Sequence, residues 1–451
     1  MSTSSASTAR RPDRSPLLVA LAVAAAVPGL VLHLGGFSLS HPVDALLYGL
    51  AIVGAAFLLS WAAEAAQVDI SAGLAIALLA LVAVLPEYAV DFVFTIQGGA
   101  AYAQYGPTCL PPGSMEQSPC GLALANMTGA NRILVGVGWA LVVLLAALRL
   151  RRGGADAGQA GGAGTSHEPG HATRVTLQRT DSVPLVFLLI ATLYSLTLPL
   201  RESITMVDFV VLVGIFVLYS IRVSKAPAED PDLIGPSAWI GRMDASKRRT
   251  GYIGLFVVSA VIIVLCAEPF ADSLVQTGTE LGISQFFLVQ WLAPLASEAP
   301  ELLVAGLYAW RLKTTDALAT LVSSKVNQWS LLVGTLPLVF ALSAGSLNGL
   351  PVDAVQREEL LITAAQSLFA VALLVTLSIT VIGALSLLVL FAAQFVLAAT
   401  LPAALQSLEL LILSAVYVIA AIVLFIRQRQ ALVQLFRDGL RAPYDELTEA
   451  K

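Results

Sequence analysis

Apolar runs of about twenty residues, the length that crosses the hydrocarbon of a bilayer as a helix, follow one another along nearly the whole chain. They predict about twelve spans, near residues 16–36, 43–66, 70–97, 121–149, 183–199, 205–222, 250–275, 283–310, 316–345, 358–379, 381–402 and 407–426. Two longer polar breaks interrupt them. Residues 150–182 are Gly/Ala-rich and then polar, which predicts a flexible linker, and 226–249 form a second polar connection. The tail after Arg427 predicts a short amphipathic helix.

Composition fixes the class. Of 451 residues, 57% are hydrophobic and only 12% charged, too little polar material to cover a soluble domain of this size. The expected fold is an all-α polytopic membrane protein. Arg10, Arg11 and Arg14 precede the first span, and Arg149, Arg151 and Arg152 follow the fourth. Arg222, Lys225, Arg242, Lys247, Arg248 and Arg249 separate the sixth from the seventh; Arg311 and Lys313 follow the eighth, and Arg427 and Arg429 the last. Basic residues stay on the cytoplasmic face, so the expectation is a multi-pass plasma (inner) membrane protein with both termini cytoplasmic. Arg201, next to Glu202, is the exception. The basic, Ala-rich start also reads as a signal peptide, but its long apolar run and lack of a clear cleavage site favour an uncleaved first helix.

Cys109 and Cys120 share a Pro/Gly-rich loop placed outside, where disulfides persist; they are either a structural bridge or two free thiols. Cys266 falls inside a span. His167-Glu168-Pro169-Gly170-His171 matches the zinc-hydrolase spacing, but Pro169 and Gly170 prevent the helix that would put both histidines on one face. No cofactor is expected. No phosphate-binding loop or ATPase domain is visible, so no nucleotide or nucleic-acid partner is expected and any driving energy comes from an ion gradient. The expected partners are inorganic cations and the lipid bilayer; the sequence does not give an oligomeric state.

Two predicted helices carry a Pro-Glu pair: Leu85-Pro86-Glu87 and Glu298-Ala299-Pro300-Glu301. A carboxylate near the bilayer centre costs a few kcal/mol or more, so it persists where it is buried in protein or meets water or an ion. Proline removes a helix hydrogen bond and frees a carbonyl. Each device is followed by a second apolar segment with Asn126 and Asn131, or Asn327, placed where that helix opens. The surroundings repeat as well: Phe57 to Trp61 and Asp69-Ile70-Ser71 in one half, Phe270 to Leu274 and Gly282-Ile283-Ser284 in the other. Ser71 and Pro86 are 15 positions apart, Ser284 and Pro300 16. The two Pro-Glu helices are the third and eighth spans and therefore cross in opposite directions, the arrangement of inverted repeats.

These elements resemble the cation/calcium exchanger superfamily, specifically its sodium/calcium exchanger membrane region. Each family repeat carries a Gly-Thr-Ser-x-Pro-Glu kink and then Gly-Asn-x-x-Gly-Ser-Asn. The first pair stands here as Val82 to Glu87 and Ala125 to Asn131, the second as Ala296 to Glu301 and Leu321 to Asn327. The resemblance implies two inverted five-helix repeats over 43–225 and 250–402, with an extra helix at each end (16–42 and 403–451), a basic tail at 1–15 and a cytoplasmic connection at 226–249. It implies that Glu87 and Glu301 are the central acidic ligands of the exchanged cation, with Ser297, Glu298, Asn126, Asn131 and Asn327 available beside them. Transported Ca²⁺, Na⁺ or H⁺ would be substrates.

The departures from the family are specific. Family hydroxyls that coordinate sodium fall on Ala83, Val84, Ala130 and Val326, and further ligands on Leu134 and Ser330. The chain adds Glu298 on the face of Glu301, Asp91 one turn beyond Glu87, and Arg132 and Lys325 in the second helices. A lysine beside a carboxylate in a dry site can replace a bound monovalent cation. Sodium/calcium exchange is the family default. Proton coupling, with Lys325 paired to Glu298 or Glu301, is the alternative, and a transport-inactive scaffold locked by that pair is a third. An intramembrane hydrolase lacks the necessary ligands. Glu64, Glu268 and Asp272 are expected along the access route or in local pairs, and His33 and His41 at an interface.

Overall fold

In the computed structural model, residues 14–69, 85–113, 117–159, 165–166, 174–227, 233 and 235–448 are described. The helices are α1 (Ser15–Gly35), α2 (His41–Ala66), α3 (Leu85–Tyr105), α4 (Pro119–Ile133), α5 (Ala140–Gln159), α6 (Ser182–Ser195), α7 (Met206–Val223), α8 (Pro236–Gly241) and α9 (Ala245–Leu281). They continue with α10 (Gln285–Trp310), α11 (Thr314–Asn327), α12 (Val333–Ala344), α13 (Ala354–Leu374), α14 (Val381–Thr400), α15 (Ala403–Arg427), α16 (Arg429–Leu440) and α17 (Tyr444–Thr448). Among the described residues, nine helical stretches are long and apolar enough to cross a membrane. Helices α3, α10 and α13 fall outside that group; they carry Glu87 and Asp91, Glu298 and Glu301, and Glu358 and Glu359. The chain is an all-α polytopic membrane protein.

Two predicted spans are each two helices joined by a π-helical turn: Leu134–Trp139 links α4 to α5, and Gln328–Leu332 links α11 to α12. Such insertions widen the helix and recur at functional sites. Their positions, just after Asn131 and just after Asn327, add to the likeness between the halves.

Contacts at the two ends of the bundle sort the connections into two groups. At one end Cys109 is bonded to Cys120, His41 Nδ1 meets Glu280 Oε1 at 2.5 Å, and β3 (Ser203–Ile204) pairs with β4 (Leu350–Pro351). At the other, Asp69 accepts from Arg248 Nε and Nη2 at 2.8 Å each, and Ser237 donates to Glu64 at 2.5 Å. There β1 (Thr165–Ser166) pairs with β2 (Arg174–Thr176), and β2 pairs with β5 (Ser378–Thr380). The disulfide is formed.

Some expectations change. Within 150–182 the described residues include regular structure rather than flexible linker alone: α5 continues to Gln159, and β2 finds a partner strand in β5. Residues 167–171 lie outside the described residues. Helix α9 begins at Ala245, inside the predicted polar connection, where Arg248 satisfies Asp69. The tail is two helices; α16 docks on α6, with Arg179 gripping Asp438 at 2.7 and 3.0 Å. Arg201 pairs with Asp208 at 2.6 Å rather than with its neighbour Glu202.

Candidate functional site

The centre of the bundle is where α3 and α4 of one half meet α10 and α11 of the other. Helix α10 carries Pro294 and Pro300. Neither has an N–H, so the carbonyls four residues earlier, Gln290 and Ala296, lose their helical donors. Gly129 on α4 lies so close to α10 that a Cβ there would sit 1.7 Å from Gln290 O and 3.1 Å from Pro294 Cγ. The missing side chain lets the backbones of α4 and α10 touch there.

The acidic residues meet there. Glu87 and Glu298 are fully buried, and the charges of Glu87, Glu298 and Glu301 act on one another. Both oxygens of Glu87, and Oε2 of Glu298 and of Glu301, are buried without a donor. Asn126 Nδ2 donates to Asp91 Oδ1 at 2.7 Å, which leaves Asn126 Oδ1 and Asp91 Oδ2 without one. Ser297 lies beside Glu87 and donates to Pro294 O at 3.2 Å. Ser324 lies beside Glu301.

An unsatisfied buried acceptor costs about 1–3 kcal/mol, more for a charged one. Several such oxygens from two halves, facing one another with few donors, make a set that accepts protons or a hard cation. Among the described residues no three His, Cys, Asp or Glu are grouped closely enough to hold a metal ion by themselves. A cation here would therefore need neutral oxygens as well.

The positive residues do not sit as the sequence suggests. Lys325 is fully buried, but its Nζ donates to Asn131 O at 2.7 Å and Asn131 Oδ1 at 2.6 Å. Among the described residues no ion pair joins it to Glu298 or Glu301, which corrects the expected pairing. The reason is register: Lys325 points across to α4, while Glu298 Oε1 takes Gln328 Nε2 from the π-helical turn. The Glu298 charge still acts on Lys325, and Nζ lies 5.0 Å from the centre of the Trp329 ring.

Arg132 turns away from the centre to Glu359 on α13, 2.8 Å away. The asparagines are not helix openers: α4 begins at Pro119 and α11 at Thr314. Asn126 and Asn131 sit within α4, where their side chains act across helices, and Asn327 ends α11. Asp272 accepts from Gln97 at 2.8 Å, and Glu268 and His33 are exposed. Ser71, Ala83 and Val84 lie outside the described residues.

Sequence reasoning missed Gln328, Gln290, Glu359 and Glu409. The last two are acids within apolar runs, the same signal that drew attention to Glu87.

The family model described as sodium/calcium exchanger protein matches residues 251–426. Comparison with curated proteins returned no match. The crystal structure of an H⁺/Ca²⁺ exchanger, CAX, is 34% identical, with a TM-score of 0.82 over 97% of this chain and 99% of that one. A selenium-substituted Ca²⁺/H⁺ antiporter, YfkE, shares the fold at 14% identity, with a TM-score of 0.52 over 91% of this chain and 99% of that one. With one relative alike over essentially its whole length, the chain belongs to the cation/calcium exchanger superfamily.

Proposed function

We propose that this protein is a secondary-active antiporter, a carrier and not an enzyme, that exchanges Ca²⁺ for H⁺ by alternating access. The observation that carries the reading is the set of donor-poor buried oxygens on Glu87, Glu298, Glu301, Asp91 and Asn126, drawn from both halves. Protons and Ca²⁺ each satisfy such a set, and not both at once. Glu87 and Glu301 are the central ligands, with Ser297, Asn126 and the freed Ala296 carbonyl as neutral oxygens. Asn131 and Asn327 have lesser claims, since Asn131 is already engaged by Lys325.

Three observations favour proton coupling over sodium. The positions of the family's sodium-binding hydroxyls hold Ala130 and Val326, and the Lys325 ammonium stands among the ligand positions as a built-in monovalent cation. The likeness to an H⁺/Ca²⁺ exchanger supports the same choice. In this reading two inverted repeats, 43–225 and 250–402, rock about the site, with extra helices at 16–42 and 403–451. Both termini are cytoplasmic and the disulfide end faces out.

The test is flux in proteoliposomes holding purified protein, with Ca²⁺, Na⁺ and H⁺ gradients imposed separately and Glu301→Gln as control. Proton-driven Ca²⁺ uptake lost in Glu301→Gln supports the proposal. Sodium-driven uptake returns it to the family default, and no flux under any gradient leaves a scaffold.

A further inference from the structure

A second buried charge cluster lies between α4, α13 and α15, apart from Glu87 and Glu301. Arg132, 1% exposed, holds Nη1 2.8 Å from Glu359 Oε2, and its guanidinium lies 4.7 Å from the centre of the Trp291 ring. Glu409 enters from α15, and its charge interacts with those of both Arg132 and Glu359. It is 7% exposed, and neither of its oxygens meets a donor. None of the three guanidinium nitrogens of Arg132, nor Glu359 Oε2, is aligned for a hydrogen bond, so the pair is held by charge and proximity alone.

Two carboxylates thus share one guanidinium. Glu358, also on α13, is held by Ser407; Tyr417, on α15 itself, is buried, and α14 carries no ionisable side chain. A buried carboxylate without a partner is strongly disfavoured, so one of the two glutamates needs a positive charge that the protein does not supply. No metal-sized group of three ligands exists among the described residues. A proton needs none.

The cluster lies toward the disulfide end. Glu409 is about two turns from Pro402, Ser407 ties this part of α15 to the start of α13, and Gln356 there crowds Gly121, next to Cys120. Inward, Arg132 adjoins Asn131, the partner of Lys325, and the Arg132 charge acts on Lys325.

We propose that Glu409 is a second proton site of the exchange cycle, loaded from the aqueous phase at the disulfide end, and that it alternates with Glu359 as the partner of Arg132. The neutral Glu409 gives its proton to Glu359, and the Glu409 carboxylate takes Arg132 Nε and Nη2 as the Glu359 carboxylate lets go. The charge count is unchanged, and Arg132 shifts beside the residue that holds Lys325. This role rests on the proton-coupled reading above.

Infrared spectra of the full-length protein in lipid at neutral pH test the proton directly. The wild type is expected to show a protonated-carboxyl C=O band, one component of which disappears in Glu409→Gln and returns, shifted, in Glu409→Asp. In proteoliposomes, Glu409→Gln is expected to lower proton-driven Ca²⁺ uptake at least tenfold, with calorimetric Ca²⁺ affinity within twofold of wild type and Glu409→Asp partly restoring flux. A protonated-carboxyl band unchanged in Glu409→Gln, or flux equal to wild type, overturns the inference while leaving proton coupling intact. Wild-type flux indifferent to a proton gradient overturns the coupled reading, and this role with it.

Discussion

Lys325 reaches from α11 to α4 and donates to both oxygens of Asn131, 2.6 Å from Oδ1 and 2.7 Å from the main-chain carbonyl. The ammonium therefore joins the two halves of the bundle at the level of the acidic centre, through neutral oxygens. The Glu298 charge acts on this amine from a distance.

If the ammonium stands where a monovalent cation would bind, its removal opens that position. Lys325→Ala is expected to make Ca²⁺ flux respond to a sodium gradient, to which the wild type is indifferent. Radioactive sodium uptake into proteoliposomes checks it. A variant still blind to sodium means that the lysine does not occupy a sodium position.

Glu87 and Glu301 are expected to dominate affinity. Taking one charged partner from a buried site costs about 3–5 kcal/mol, so Glu87→Gln and Glu301→Gln should weaken Ca²⁺ binding by about two to four orders of magnitude. Calorimetry on solubilised protein reads this directly. A loss below tenfold in both would move the ligand set elsewhere.

The close approach of α4 to α10 leaves no room at Gly129. Its neighbour is the main-chain oxygen of Gln290, which cannot swing aside as a side chain would. Gly129→Leu should cost about 1–3 kcal/mol or more, seen as a lower melting temperature and poor recovery in detergent. Gly214→Ala, where nothing lies within 4 Å of the added carbon, should behave as wild type.

Asp69 and Asp438 give the fold an acid limit. Bonds from Arg248, with Arg249 nearby, hold Asp69 below the usual carboxylate range, and the grip of Arg179 does the same for Asp438. Each contribution is present above the unfolded value, about 4, and is lost as the pH falls through the lower folded value. The melting-temperature gap between wild type and Asp69→Asn or Asp438→Asn should hold steady from neutral pH to about 5 and narrow below about 4. A gap that widens with acid would contradict the ion pairs.

The disulfide predicts a simple count. Alkylation of denatured, unreduced protein should label Cys266 alone, and reduction should expose Cys109 and Cys120. Three labels before reduction would show the bridge open.

The sequence by itself determined the class and nearly all of the helices, because hydrocarbon demands long apolar runs whatever the fold. It also marked Glu87 and Glu301, since a carboxylate within such a run is conspicuous and proline repeats the mark. It did not determine partners across helices. Lys325 was expected at a glutamate and lies at Asn131; Asn126 and Asn131 were expected to open a helix and sit within one. Spacing along one helix says which residues share a face, but not which face meets which neighbour, and rotation and depth are set by packing such as Gly129 on Gln290 O. The Arg132, Glu359 and Glu409 cluster depends on helices far apart in the chain, so only the tertiary structure could bring it together.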